Sequence, residues 1–167
     1  DLGQSDLLQL NYPAKFSLHE ALRQGRLPLW NKYIGTGFPQ LAENQIGALN
    51  VLNIAIFGAL PFVYAVNLTY VSIFLISAVG TYVYVRTLKV SAASAFFSSI
   101  IFAFSGFFIT HLGHINLIQT AAYLPWVFWL THKLIYDNRI IAAPALALVL
   151  SQQFLAGFPQ MSLISIL

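Results

Sequence analysis

Apolar and polar positions divide this chain into two unequal parts at Pro61. Beyond it come four apolar runs, 62–85, 91–110, 115–130 and 140–156, separated by short polar breaks. The first is about 24 residues long and uncharged, enough to cross a ~30 Å hydrocarbon core at 1.5 Å per residue. Arg86 and Lys89 close it. The second is rich in Ser and Ala, which lets helices approach closely. His111-Leu112-Gly113-His114 reads as a tight turn. The third run carries Tyr123, Trp126 and Trp129, and the fourth reaches Gly157-Phe158-Pro159-Gln160.

The first 61 residues have a different pattern. Ser17-Leu18-His19-Glu20 reads as a capping box at the start of a short helix over about 18–24. Phe16, Leu18 and Leu22 would give that helix an apolar side to lay along a membrane surface. Residues 27–31 and 35–39 are rich in turn formers and read as ordered loop. The run 50–60 is apolar but too short to span, and it predicts an interfacial or re-entrant helix. Gly37-Phe38-Pro39-Gln40 returns as Gly157-Phe158-Pro159-Gln160, but the flanks do not match and no repeat is assigned.

The expected fold class is therefore all-α, a polytopic transmembrane helical bundle. Residues 1–61 form a long first loop with amphipathic and re-entrant helices, and 62–167 form a membrane region of about four spans. Composition supports this: 58% of residues are hydrophobic and 8% charged, against about 25% charged in a soluble domain. The sequence lacks an initial Met and stops inside an apolar stretch, so a piece of a longer protein is expected. Cysteine is absent, which removes disulfides and thiolate metal sites.

Charge sets the orientation. Arg86, Lys89, Lys133 and Arg139 lie in short loops on one side, and Lys15, Arg23, Arg26 and Lys32 on the other. Short loops weigh more in the positive-inside rule, so the first group is assigned to the cytoplasm. The polar first segment, the His111–His114 turn and Gly157–Gln160 then share the outer face. Net charge is +3, but no basic stripe or nucleic-acid motif accompanies it. Membrane lipid is the better partner.

Three groups of residues could carry chemistry. A carboxylate beside a span is costly unless used or paired, so Asp6 is a candidate general base; its plain reading is a solvated loop acid. Glu43 carries the same two readings. His111 and His114, three apart at a helix end, would share a face and donate to a phosphate; their plain reading is a helix-end cap. They could hold a divalent metal only with further ligands that the sequence does not place. Arg23, Arg26 and Lys32 would hold a lipid-linked phosphate or simply touch headgroups. Trp30 and Tyr33 read as interfacial anchors, and Gln152, Gln153 and Gln160 as interhelical hydrogen-bonding groups.

Ser5-Asp6-Leu7-Leu8-Gln9, Leu22-Arg23-Gln24-Gly25-Arg26-Leu27-Pro28-Leu29-Trp30-Asn31, Gly35-Thr36-Gly37-Phe38-Pro39 and Ala42-Glu43-Asn44-Gln45-Ile46-Gly47 together resemble the first outer loop of the bacterial YfhO-like membrane protein family. Phe104-Ser105-Gly106-Phe107, His111, His114, Leu124-Pro125-Trp126 and Leu155-Ala156-Gly157-Phe158-Pro159-Gln160 resemble its following helices. The resemblance covers most of the chain, and Pro28-Leu29-Trp30-Asn31 is its most specific part. Lys32 stands where that family usually has Pro, Ser5 where Gly often precedes the Asp, and Phe158 where His is common.

That family is similar to the GT-C glycosyltransferases, which take sugars from polyprenyl-phosphate donors on the extracytoplasmic side. The resemblance implies Asp6 as the catalytic base or a metal ligand. It implies Arg23, Arg26, Trp30, Asn31, Glu43, Gln45, His111 and His114 as substrate-binding residues, a cell-envelope acceptor, and a place in the cytoplasmic membrane with residues 1–61 outside. The rival reading is a non-enzymatic membrane protein, a lipid or polymer transporter or an assembly partner. A transporter would carry polar residues at mid-membrane in broken, paired repeats.

Overall fold

The computed structural model describes residues 7–32 and 34–166. Among them the structure is helical, with no strand and one isolated antiparallel bridge between Asn31 and Phe38. A π-turn over Leu7–Asn11 leads into α1 (Tyr12–Arg23). This helix begins well before residue 18 because Pro13 occupies its first turn, where a missing N–H costs nothing. The capping box does not form. Ser17 lies inside the helix, and its hydroxyl donates instead to Gln40 Oε1 at 2.8 Å. At the other end the Gly25 amide bonds Leu22 O and the Arg26 amide bonds Ala21 O, both at 3.0 Å. Gly25 has φ +69°, the left-handed geometry that ends a helix in this way.

Next come α2 (Gln40–Glu43) and α3 (Val51–Ala59). Asn50 caps α3 by accepting from the Asn53 amide at 3.2 Å. The predicted short apolar helix is thus present, and it is buried against the rest of the fold through Asn53, Ile56 and Phe57.

The first long apolar run forms α4 (Phe62–Thr87). The second forms α5 (Ala92–Ala103) and α6 (Gly106–Thr110), with Phe104 and Ser105 between them. These two stretches, Phe62–Thr87 and Ala92–Thr110, are long and apolar enough to cross a membrane. The third run is not one helix: α7 (Ile115–Ala122) stops at Tyr123, and α8 (Leu124–Ile135) starts with Pro125 in its first turn. Proline cannot donate the amide bond that continuity requires. The fourth gives α9 (Ala142–Leu155), followed by α10 (Pro159–Ile166).

The helix α4 packs against α5 and α8, and α8 against α9, while α7 touches α4, α9 and α10. Small residues set the closest approach. The indole of Trp126 lies on α4 at Gly80 and donates to Ile76 O at 2.8 Å. Large apolar side chains remain exposed along α5, among them Phe96, Phe97 and Ile101, and at Phe104 just after it. Exposed apolar side chains of this kind suit a membrane or another apolar partner.

Candidate functional site

The polar first segment folds back onto two turns of the helical part. Asn11 Nδ2 donates to Gly113 O at 3.2 Å, and the Tyr70 hydroxyl of α4 reaches Leu112 O at 2.7 Å. On the other side Asn44 Nδ2 donates to Phe154 O at 3.1 Å, and Asn116 Nδ2 reaches Gly157 O at 3.4 Å. Gly157 has φ +109° and is pressed so close to the chain at Asn44 and Gln45 that a Cβ would fall 2.6 Å from Gln45 O. The first segment, the 111–114 turn and the 157–160 turn, expected to share one face, are therefore in direct contact.

Two clefts open in this segment, and both are lined by Pro13 and Ile34. The larger, about 720 Å³, lies between α1 and the 24–34 loop. Its wall includes Ser17, Glu20, Arg26, Trp30, Asn31 and Lys32. The loop is closed by the paired bonds of Asn31 and Phe38, amide to carbonyl at 2.8 and 2.9 Å. Trp30 leans on Gly37, where a Cβ would stand 2.4 Å from the indole nitrogen, yet it remains 60% exposed. Gly37 has φ +112°, a conformation in which glycine meets no penalty. Gly37 and Gly157 have nearly the same φ, each shortly before a helix, but Phe38 is bridged to Asn31 and Pro39 precedes α2, whereas Pro159 opens α10. Gln40 is buried and bonds Ser17 and Ala14 O, whereas Gln160 is exposed.

The smaller cleft, about 270 Å³, is lined by Gln9, Asn11, Lys15, Gln40, Glu43 and Gln45 among others. Burial raises the carboxyl pKa of Glu43, and the Gln45 amide at 3.1 Å partly opposes this. Lys15 is 1% exposed. Its ammonium donates to Ile46 O at 2.8 Å and stands 5.5 Å from the centre of the Phe57 ring. Burial pulls its pKa down to about 7, as expected of an ammonium removed from water.

The expected site residues are thus distributed over several places. Arg26, Trp30 and Asn31 share the larger cleft, and Glu43 and Gln45 the smaller. Arg23 is exposed on the last turn of α1. His111 and His114 form a separate pair with ring centres 6.0 Å apart. The His111 Nδ1–H donates back to Phe107 O at 2.8 Å, which fixes its tautomer and leaves Nε2 as the acceptor of the neutral ring. Asp6 lies outside the described residues, as does Tyr33. No group of three or more metal-ligating side chains occurs among the described residues.

Sequence reasoning missed Lys15, which it counted only as one more surface cation. The signal was present in the helix period: Lys15, Leu18 and Leu22 recur at spacings of three and four, on the inward face. Comparison with protein-family models, curated proteins and solved structures returned no match.

Proposed function

We propose that this chain is part of a polytopic membrane glycosyltransferase that moves a sugar from a polyprenyl-phosphate donor to an extracytoplasmic cell-envelope acceptor. The observation that carries the reading is the larger cleft. It places two cations, Arg26 and Lys32, beside an exposed indole, Trp30, and the polar groups of Ser17, Glu20 and Asn31. Cations suit a lipid phosphate, and an aromatic face with flanking acids and amides suits a sugar ring. The cleft also belongs to the segment that precedes two helices of membrane-crossing length and packs against their surroundings, where a lipid-borne donor would arrive from the side. Its location next to apolar helices favours interfacial chemistry, and the resemblance to the YfhO-like proteins points the same way.

In this mechanism Asp6 takes the proton of an acceptor hydroxyl as that oxygen attacks the anomeric carbon, and the lipid phosphate leaves with the electrons of the broken bond. Arg26 and Lys32 would stabilise the departing phosphate, a contribution made in the transition state and so felt in kcat.

The test is sugar transfer in membranes carrying the protein, with a mixed pool of polyprenyl-phosphate sugars, comparing the parent chain with Asp6→Asn. Transfer by the parent and a loss of about 10²-fold or more in Asp6→Asn supports the reading. Equal transfer in both removes Asp6 from the mechanism. Absence of transfer in both overturns the enzyme in favour of a transporter or assembly partner.

A further inference from the structure

Among the described residues Lys15 has no carboxylate partner, although its side chain is almost wholly buried. An ammonium has three N–H donors. The structure gives Lys15 one carbonyl, that of Ile46, and the face of Phe57. Lysine in such surroundings is rare unless paired. Lys15 and Ile46 both line the 270 Å³ cleft, together with the amide side chains of Gln9, Asn11, Gln40 and Gln45. Asn11 and Gln40 already donate to Gly113 O and Ala14 O, but each amide nitrogen carries a second N–H, so this cleft combines a buried cation that lacks a carboxylate partner with groups that complement an anion's oxygens.

We propose that the smaller cleft is an anion site for a phosphate group, with Lys15 as the counter-ion that it pairs. Its volume suits a headgroup rather than a whole lipid. A phosphate entering the cleft supplies the missing partner, and Lys15 takes up a proton as it binds. Glu43 is the other titratable group lining the cleft. On α1, His19 is turned to Phe57 O at 2.8 Å and Glu20 lines the larger cleft; α3 brings no titratable side chain. The site stands whether or not the chain transfers sugar, and no sugar donor enters its test.

Calorimetric titration of the detergent-solubilised chain with inorganic phosphate at pH 8.5, in two buffers of different ionisation heat, counts protons taken up on binding. Phosphate is dianionic there and burial has pulled the Lys15 pKa down to about 7, so the expected uptake of about one proton reports Lys15. Lys15→Met is expected to weaken binding at least 10-fold. Phosphatidic acid micelles, set against phosphatidylcholine micelles, identify the source. Tighter binding of phosphatidic acid than of inorganic phosphate assigns a lipid headgroup, and equal binding assigns the free anion. Binding by Lys15→Met equal to the parent's overturns the site, as does the lack of saturable binding of either phosphate. The proton count is read on the unsubstituted chain, so it decides the matter even if Lys15→Met does not fold; binding without proton uptake also overturns the proposal.

Discussion

Asn53 of α3 and Gln119 of α7 exchange hydrogen bonds through their side-chain amides: Gln119 Nε2 donates to Asn53 Oδ1 at 3.0 Å, and Asn53 Nδ2 to Gln119 Oε1 at 3.4 Å. Both residues are fully buried. The pair is extended by Asn50, whose amide reaches Tyr123 Oη and Gln152 O, and by Gln152, whose Oε1 accepts from the Val51 amide. Three helices are thereby locked at the level where the polar segment meets the bundle.

Breaking half of this exchange should cost much of what removing all of it costs. Gln119→Leu leaves the Asn53 amide with unmet bonds in the interior, a cost of about 1–3 kcal/mol. Asn53→Leu should cost a similar amount and also take away the donation to Gly47 O at 3.0 Å. The double variant should be less destabilised than the sum of the two. Unfolding in mixed micelles, run as a double-mutant cycle, measures the coupling. An additive result would mean that the two amides do not act as a unit.

Much of the architecture was legible in the sequence, because apolar runs and their breaks are one-dimensional signals. The two long runs became α4 and α5–α6, and the short run before Pro61 became α3. Start signals were less reliable. Ser17 and Glu20 have capping-box spacing, but the Pro13 signal upstream outweighed it and Ser17 was used for a tertiary bond to Gln40. The buried amides of Asn53 and Gln119 were not legible, since their partners are 66 residues apart. The sequence reading of Gln152 and Gln153 as interhelical groups agrees with their bonds to α3, Thr120 O and Ser165. Of the candidate site, the meeting of the first segment with the 111–114 and 157–160 turns could be read from the order of the apolar runs. The separation of Arg26 and Glu43 into different clefts depends on how the loop folds over α1, and no local pattern encodes that.

Gly157→Ala is expected to detach the polar segment from the bundle. The added Cβ would meet backbone oxygens at 2.6 and 2.8 Å, which cannot rotate away, and φ +109° is itself strained for alanine. A loss of about 2 kcal/mol or more is expected. Limited proteolysis should then cut within residues 24–50 faster than in the parent, with helix content largely retained. Unchanged proteolysis would show that this contact does not hold the segment.

Trp30→Ala should lower sugar transfer and leave stability within about 0.5 kcal/mol, because the side chain is 60% exposed. Gly37→Ala should reproduce the loss of transfer by displacing the same indole, and the Trp30 emission should shift to the red. A variant that retains transfer while its emission moves would exclude Trp30 from substrate contact.

Lys15 makes a prediction of definite sign. Its pKa falls from 10.5 in the unfolded chain to about 7 in the folded one. Between those values the unfolded state binds more protons, so stability rises with pH across that window. The gain is complete above the unfolded value and is lost as pH falls toward 7. Its slope is bounded by about 1.4 kcal/mol per pH unit. Lys15→Met removes the titrating group and fills the same space with a flexible apolar chain. Its stability should therefore exceed the parent's near neutral pH, with the difference shrinking as pH rises toward 10. Urea midpoints in detergent at pH 7, 8, 9 and 10 measure both curves, with saturating phosphate absent. Parallel curves would mean that Lys15 is charged in the folded chain at neutral pH, and the burial of its ammonium would then need a partner other than Ile46 O and the Phe57 ring.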